Sequence, residues 1–114
     1  MQKLINKTWR LDVPPSHAIH MSYTETYTAT KVITSFKLTN GQPRILEYDY
    51  YISNTVDTVF NETKLGTVED EKYMILRPHN FPNECHVFQI LEYAPNRMIL
   101  KHIISDKPLT FICD

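Results

Sequence analysis

Glu25 stands among apolar and aromatic residues at every second position, in the order Met21, Tyr23, Glu25, Tyr27. Alternate residues of an extended strand share a face, so this spacing presents a carboxylate to whatever the tyrosines face. Turned inward, the carboxylate needs hydrogen bonds, which neighbouring tyrosine hydroxyls can supply, and it can then orient the polar head of a ligand. In the opposite register the threonines face inward and Glu25 meets water; both arrangements fit the residues. The alternation continues in Phe36 and Leu38, and again in Tyr48, Tyr50 and Ile52. Tyrosine joins an apolar body to one hydroxyl that must find a partner when buried, which suits a small hydrophobic or amphipathic molecule. Tyr23, Glu25, Tyr27, Phe36, Leu38, Tyr48, Tyr50 and Ile52 are therefore the candidate ligand-binding residues. The competing expectation is that the same side chains simply fill the core.

Other chemistries are poorly supplied. His17 and His20 flank the loop after Pro14-Pro15, while His79, His86 and His102 are scattered along the chain. Structural zinc needs four ligands and catalytic zinc three plus water, and no cysteine or carboxylate falls at ligand spacing nearby. Surface histidines and no metal site are expected. Neither Cys85 nor Cys113 has a base at motif spacing, no Gly-x-Ser-x-Gly occurs, and 2 glycines in the whole chain leave no phosphate-cradling loop. No enzymatic activity, catalytic residue or cofactor is expected. Asn6-Lys7-Thr8 and Asn61-Glu62-Thr63 match the glycosylation acceptor pattern, which has meaning only in a secretory eukaryotic setting, and Glu69-Asp70-Glu71 reads as the decoration of a turn.

The elements that must position these residues are strands. With 7 tyrosines, 5 phenylalanines, many Thr, Ile and Val and little alanine, the 114-residue chain has the composition of a β-sheet protein. No helix-length periodicity occurs; apolar residues alternate in short runs bounded by turn residues. Nine strands can be drawn: 7–13, 19–28, 31–38, 44–53, 56–60, 72–76, 86–93, 97–104 and 109–113. Between the second and third only Ala29-Thr30 intervenes, which predicts a tight hairpin, and Asn40-Gly41-Gln42-Pro43 predicts a turn. Val32, Thr34, Phe36 and Leu38 oppose Lys31, Ser35 and Lys37, and Leu46, Tyr48, Tyr50 and Ile52 oppose Glu47, Asp49, Tyr51 and Ser53. Adjacent strands thus offer matching inner faces. The late strands are apolar on both sides, Met98 and Leu100 against Ile99 and Ile103, so a cover over their outer surface is expected.

Eight to nine short strands with hairpin-length connections argue for one domain over residues 1–114, an all-β antiparallel up-and-down β-barrel, in which closure removes exposed edges. About eight strands enclose space for side chains or one small ligand. A two-sheet β-sandwich is the alternative, with Arg77–Glu84 as its one plausible inter-sheet connection. In a meander Cys85 and Cys113 fall at opposite ends, which predicts two free thiols.

Lys plus Arg at 12 against Asp plus Glu at 13 give a net charge of -1, so no general field draws the protein to nucleic acid or anionic lipid. The longest apolar runs, such as Met98-Ile99-Leu100, fall far short of the roughly 20 residues of a membrane-spanning helix. Strand-like sequence begins near Lys7 without a basic and then apolar leader, so the chain as written is expected in the cytoplasm; had a leader been removed, the periplasm or cell envelope would be expected.

The order of Leu4-Ile5-Asn6-Lys7-Thr8-Trp9-Arg10-Leu11, Tyr50-Tyr51-Ile52-Ser53-Asn54-Thr55, Phe60, Lys64-Leu65-Gly66, Lys72-Tyr73-Met74-Ile75, Ile90-Leu91-Glu92-Tyr93 and Met98-Ile99-Leu100-Lys101 resembles that of small bacterial lipocalin-like domains. Lys7 stands where many lipocalins have the glycine of Gly-x-Trp. The resemblance covers nearly the whole chain and implies a calycin-type barrel, often an envelope protein, with no established ligand and no catalytic residues to carry over. It also implies that Trp9 plugs one barrel end, packed against a basic side chain such as Lys101 or Arg97. The function expected is non-catalytic binding of a small hydrophobic or amphipathic ligand, admitted near Pro14–Ala18. The alternative is a filled barrel that acts as a protein-interaction module or homo-oligomer through an apolar strand face, Met98, Leu100, His102 and Ile104 or Ile99 and Ile103.

Overall fold

In the computed structural model, which describes residues 7–12, 21–38 and 42–113, eight antiparallel strands close into a single barrel. They are β1 (Thr8–Leu11), β2 (Met21–Tyr27), β3 (Lys31–Leu38), β4 (Arg44–Ser53), β5 (Tyr73–Pro78), β6 (His86–Ala94), β7 (Arg97–His102) and β8 (Leu109–Ile112). Each pairs with the next, and β8 returns to β1 through Arg10↔Ile112 and Leu11↔Phe111, which rules out the two-sheet alternative. The β2–β3 hairpin forms as the short connection predicts: the Thr28 amide donates to the Lys31 carbonyl at 2.8 Å, and the Lys31 amide donates to Thr28 Oγ1 at 2.9 Å. Among the described residues no helix is long and apolar enough to cross a membrane. The Pro14–Ala18 loop, His17, His20, Asn40 and Gly41 lie outside the described residues.

Alternation sorts the side chains into two clusters. Trp9, Tyr27, Val32, Tyr50, Ile52, Met74, Leu76, Met98, Leu100 and Phe111 form the barrel interior. Tyr51, Ile75 and Val87, from the opposite faces of β4, β5 and β6, make a second cluster on the outside with Phe60, Tyr73 and Cys85. Among the described residues the outer cover lies over β4–β6 and not over β7 and β8, where it was expected, and it comes from the connection between β4 and β5.

That connection fixes the count at eight, within the expected eight to nine, and removes the strand drawn at 56–60. Residues 56–60 are not a strand: Val56 and Val59 are exposed, and only Phe60 turns in, its ring centroid 5.0 Å from that of Tyr51. Side chains hold the segment. The Tyr51 hydroxyl donates to Asp57 Oδ2 at 2.7 Å and accepts from the Asn61 amide at 3.3 Å, and the Arg77 guanidinium lies 4.4 Å over the Phe60 ring. After a 3-10 turn at Glu62–Lys64 the chain runs beside the end of β4. Gly66 N donates to the Tyr50 carbonyl, Ile52 N to the Thr67 carbonyl and Glu69 N to the Ile52 carbonyl. β3 reaches only as far as Asp49 along β4, so residues 66–69 cover an edge that would otherwise be open. Asp70 and Glu71, both at positive φ, then turn the chain into β5, in keeping with the acidic run as a turn.

A bulge in β6 between Ile90 and Glu92 inserts Leu91 on the outside and shifts the alternation, so that Ile90 and Tyr93 both pack on the interior cluster. Tyr93 thereby meets Trp9, centroid to centroid 6.2 Å. Trp9 is fully buried, but no cation lies over it among the described residues: Arg97 pairs with Glu92, and Lys101 Nζ donates to the Ser105 carbonyl. The closing partner of the tryptophan is an aromatic ring that only the bulge could aim there. Cys85 and Cys113 lie at opposite ends of the barrel, and neither is in a disulfide.

Gly66 has φ 76°, and a Cβ there would lie 3.0 Å from the Ala29 carbonyl oxygen and 3.1 Å from Thr30 Cγ2. Gly66→Ala is expected to lower stability by about 1–2 kcal/mol in urea unfolding, through backbone strain and crowding of the hairpin. An unchanged midpoint would mean that the β4–β5 connection is not held against the hairpin.

Candidate functional site

β2 brings Tyr23, Glu25 and Tyr27 to the barrel interior. The Tyr27 hydroxyl donates to Glu25 Oε1 at 2.7 Å, and the Tyr23 hydroxyl donates to Glu25 Oε2 at 3.1 Å. Glu25 itself is only 8% exposed. Of the two registers left open by the residues, this is the inward one, and the reason is visible in the partners: two flanking tyrosines satisfy a carboxyl that could not otherwise be buried. Burial pushes the Glu25 carboxyl above its ordinary value, and the two tyrosine bonds offset that only in part. Burial and the adjacent carboxylate in turn push both tyrosine hydroxyls upward.

The strands beside β2 complete the surroundings. Trp9 on β1 and Thr34 on β3 stand directly opposite Glu25 in the register. Both are buried, neither Trp9 Nε1 nor Thr34 Oγ1 has a hydrogen-bond partner, and the Thr34 hydroxyl is near enough to that of Tyr23 to act against the upward push on it. Tyr50 is buried against Tyr27, edge to face at 5.5 Å, and its hydroxyl donates to the Thr28 carbonyl at 2.7 Å. Burial pushes Tyr50 up to about 12. Tyr27, Tyr50 and Ile52 thus belong to a tightly filled floor together with Trp9, Met74 and Met98.

At the other end the filling stops. Tyr23, Phe36, Tyr48 and Phe88 sit on inward positions yet stay half-buried, with Phe36 stacked on Tyr23 at 6.4 Å. A cleft of about 220 Å³ opens there, lined by Leu46, Glu47, Tyr48, Pro78, Asn80, Phe81, Glu84 and His86. Tyr48 joins the cleft to the interior: burial raises its hydroxyl, and so do the charges of Glu25 on one side and Glu84 on the other. Of the eight residues predicted to form the site, Tyr23, Glu25, Phe36 and Tyr48 lie toward this mouth, and Tyr27, Tyr50 and Ile52 lie in the floor. Leu38 pairs with Met21 at the end of β3, and its side chain lies outside the described residues.

Several mouth residues were not predicted. His86 and His102 are half-buried, their rings 5.9 Å apart, and His102 also meets Phe88 at 5.0 Å, so these two are not surface histidines scattered at random. Burial, with His86 and Lys101 nearby, lowers the His102 value. The signal was present in alternation, since His86 and Phe88 share a face of β6 and His102 continues the face of Met98 and Leu100. Phe81 and Glu84 come from a connection, which carries no periodicity. Met98 and Leu100, expected as half of an exposed recognition face, are buried in the interior; Ile104, 86% exposed, and Phe81, 60% exposed, are apolar residues left open to solvent near the mouth. No group of three His, Cys, Asp or Glu among the described residues is arranged to hold a metal ion.

In comparison with known proteins, no family model matches the chain, and neither a curated protein nor a solved structure matches it significantly. The eight-stranded closed barrel is compatible with a lipocalin-like fold.

Because the folded-state value of Glu25 is raised above the ordinary 4.5, the unfolded chain ionises first as pH rises. The stability of the wild type relative to Glu25→Gln is therefore expected to fall with increasing pH above that value, until the folded carboxyl also ionises. Urea unfolding of both proteins between pH ~4 and ~8 measures this difference, in which the other carboxyls cancel. A difference that stays flat would contradict the buried carboxyl.

Proposed function

We propose that this chain is a non-catalytic binding protein, a lipocalin-like barrel that takes a small hydrophobic or amphipathic molecule through its open end. The observation that carries the reading is the contrast within one interior. Aromatic side chains facing into a barrel keep solvent exposure only where the space beside them is not filled, and Tyr23, Phe36, Tyr48 and Phe88 keep it while Trp9 and Tyr27 do not. The cleft of about 220 Å³ lies below the ~300–1,000 Å³ of drug-sized pockets, which points to a small occupant. The order of sequence motifs supports a place among the small bacterial lipocalin-like domains, and the barrel topology agrees with it.

A second reading, a protein-interaction module or homo-oligomer, draws support from Ile104 and Phe81, which leave apolar surface beside the mouth. One preparation separates the two. Titration with the neutral dye Nile red is expected to give saturable binding with a blue-shifted emission, and Tyr48→Arg, which fills the cleft with a charged side chain, is expected to weaken it by about tenfold or more. Binding that never saturates, or that survives Tyr48→Arg unchanged, would rule out the mouth as the site. A dimer mass in native mass spectrometry that reverts to monomer with Ile104→Asp would favour the second reading.

A further inference from the structure

The interior holds a charge-bearing group for which the described residues provide no counter-charge. Glu25 is in none of the ion pairs among the described residues, and the lysines and arginines described lie on the outside of the barrel or at its ends: Arg77 bonds to Asp49 and Glu62, Lys64 to Asp57 and Glu69, and Lys7 to the Pro95 carbonyl. Burying an unpaired carboxylate is unfavourable by several kcal/mol unless it is protonated or meets a cation. A carboxylate has about four acceptor positions, and the hydroxyls of Tyr23 and Tyr27 occupy two of them.

The approach from solvent has the same sign. Glu47 and Glu84 line the cleft, each 3.3 Å from a histidine, and no lysine or arginine is among its described lining residues. Tyr48 belongs to both regions: it lines the cleft and packs on the interior cluster, and its hydroxyl feels the charges of both Glu25 and Glu84. Opposite Glu25, the buried hydroxyl of Thr34 has no hydrogen-bond partner and offers one more acceptor. The half-buried rings of Tyr23 and Tyr48 add the faces that attract a cation and cover the apolar part of a ligand.

We propose that the ligand of this barrel is a small organic cation, an amine on an apolar body, whose ammonium group seats on the Glu25 carboxylate after passing the Glu47 and Glu84 rim. The inference rests on the ligand-binding reading above and adds the charge of the ligand to it. An anionic ligand would bring a second negative group against Glu25 and a neutral one would leave the buried carboxyl favouring its protonated form, whereas a cation supplies the counter-charge with which it ionises. The ammonium donates hydrogen bonds to the free lone pairs of Glu25 and to Thr34 Oγ1, and the closed aromatic floor at Trp9 and Tyr27 limits the depth to which it can enter.

Three probes of one shape and different charge test this: phenethylamine, phenethyl alcohol and hydrocinnamate, titrated calorimetrically at neutral pH. The amine is expected to bind about tenfold or more tightly than the alcohol, and the acid most weakly. In Glu25→Gln the preference of amine over alcohol is expected to collapse to about twofold or less, while Nile red still binds and reports an intact barrel. The double variant Glu47→Gln, Glu84→Gln, altered only at exposed positions, is expected to weaken the amine a few-fold more than the alcohol and to reduce the salt dependence of amine binding. Equal binding of all three probes, tighter binding of the acid, or an amine preference that survives Glu25→Gln would overturn the charge assignment and leave the ligand-binding reading standing. Failure of every probe, Nile red included, would overturn both.

Discussion

Two tyrosine hydroxyls holding one carboxyl inside a β-barrel set the terms for the rest of this interior. The Tyr23 and Tyr27 bonds make the inward register of β2 tolerable, and that register decides what every neighbouring strand presents. Thr34 and Trp9 stand opposite Glu25 because of it, and Tyr50 packs edge to face on Tyr27 because of it. A carboxyl in such a place resists complete enclosure by hydrocarbon. The barrel answers with an asymmetric filling, dense on the Trp9 side and loose on the Tyr48 side.

The outside of the barrel meets a different constraint. β4 is longer than β3, and its last residues would leave an open edge beside an apolar outer face carrying Tyr51 and Ile75. One connection serves both needs: residues 66–69 occupy the edge, and Phe60 covers the face. Charged bonds anchor it at both ends. The Tyr51 hydroxyl, then Thr55 and Lys64, hold Asp57 below the usual carboxylate range, and at Asp49 bonds from Arg77 and His79 outweigh the opposing effect of burial. Among the described residues the scaffold is therefore doubled along β4–β6.

Strand identity and facing were legible wherever alternation was undisturbed. β3 and β4 could be read residue by residue, because each has one charged and one apolar face. β2 was ambiguous at Glu25 since the deciding information, a pair of hydroxyl partners on its own strand, concerns satisfaction of hydrogen bonds and not hydrophobicity. Residues 56–60 imitate a strand through Val56, Val59 and Phe60, yet their backbone is organised by side-chain bonds from Tyr51, Asp57 and Asn61 that no period announces. Tyr93 was hidden by the bulge, which moves a side chain to the other face without a glycine or proline to mark it. The mouth was only half legible: its strand residues alternate, whereas Phe81 and Glu84 reach it from a connection whose path depends on the finished barrel.

The seam between β1 and β8 joins residues near 10 to residues near 112, and the other seven pairings all link neighbours in the chain. Seven hairpin-like steps can form as the polypeptide emerges, but the last one must await β8 and then close a loop about as long as the domain, an event whose entropy cost grows with the logarithm of loop length. Until then β1 and β8 are both open edges, and Trp9 has no wall to rest on. Before that closure the same strands make a curved open sheet with two unpaired edges, and only the β1–β8 pairing encloses an interior.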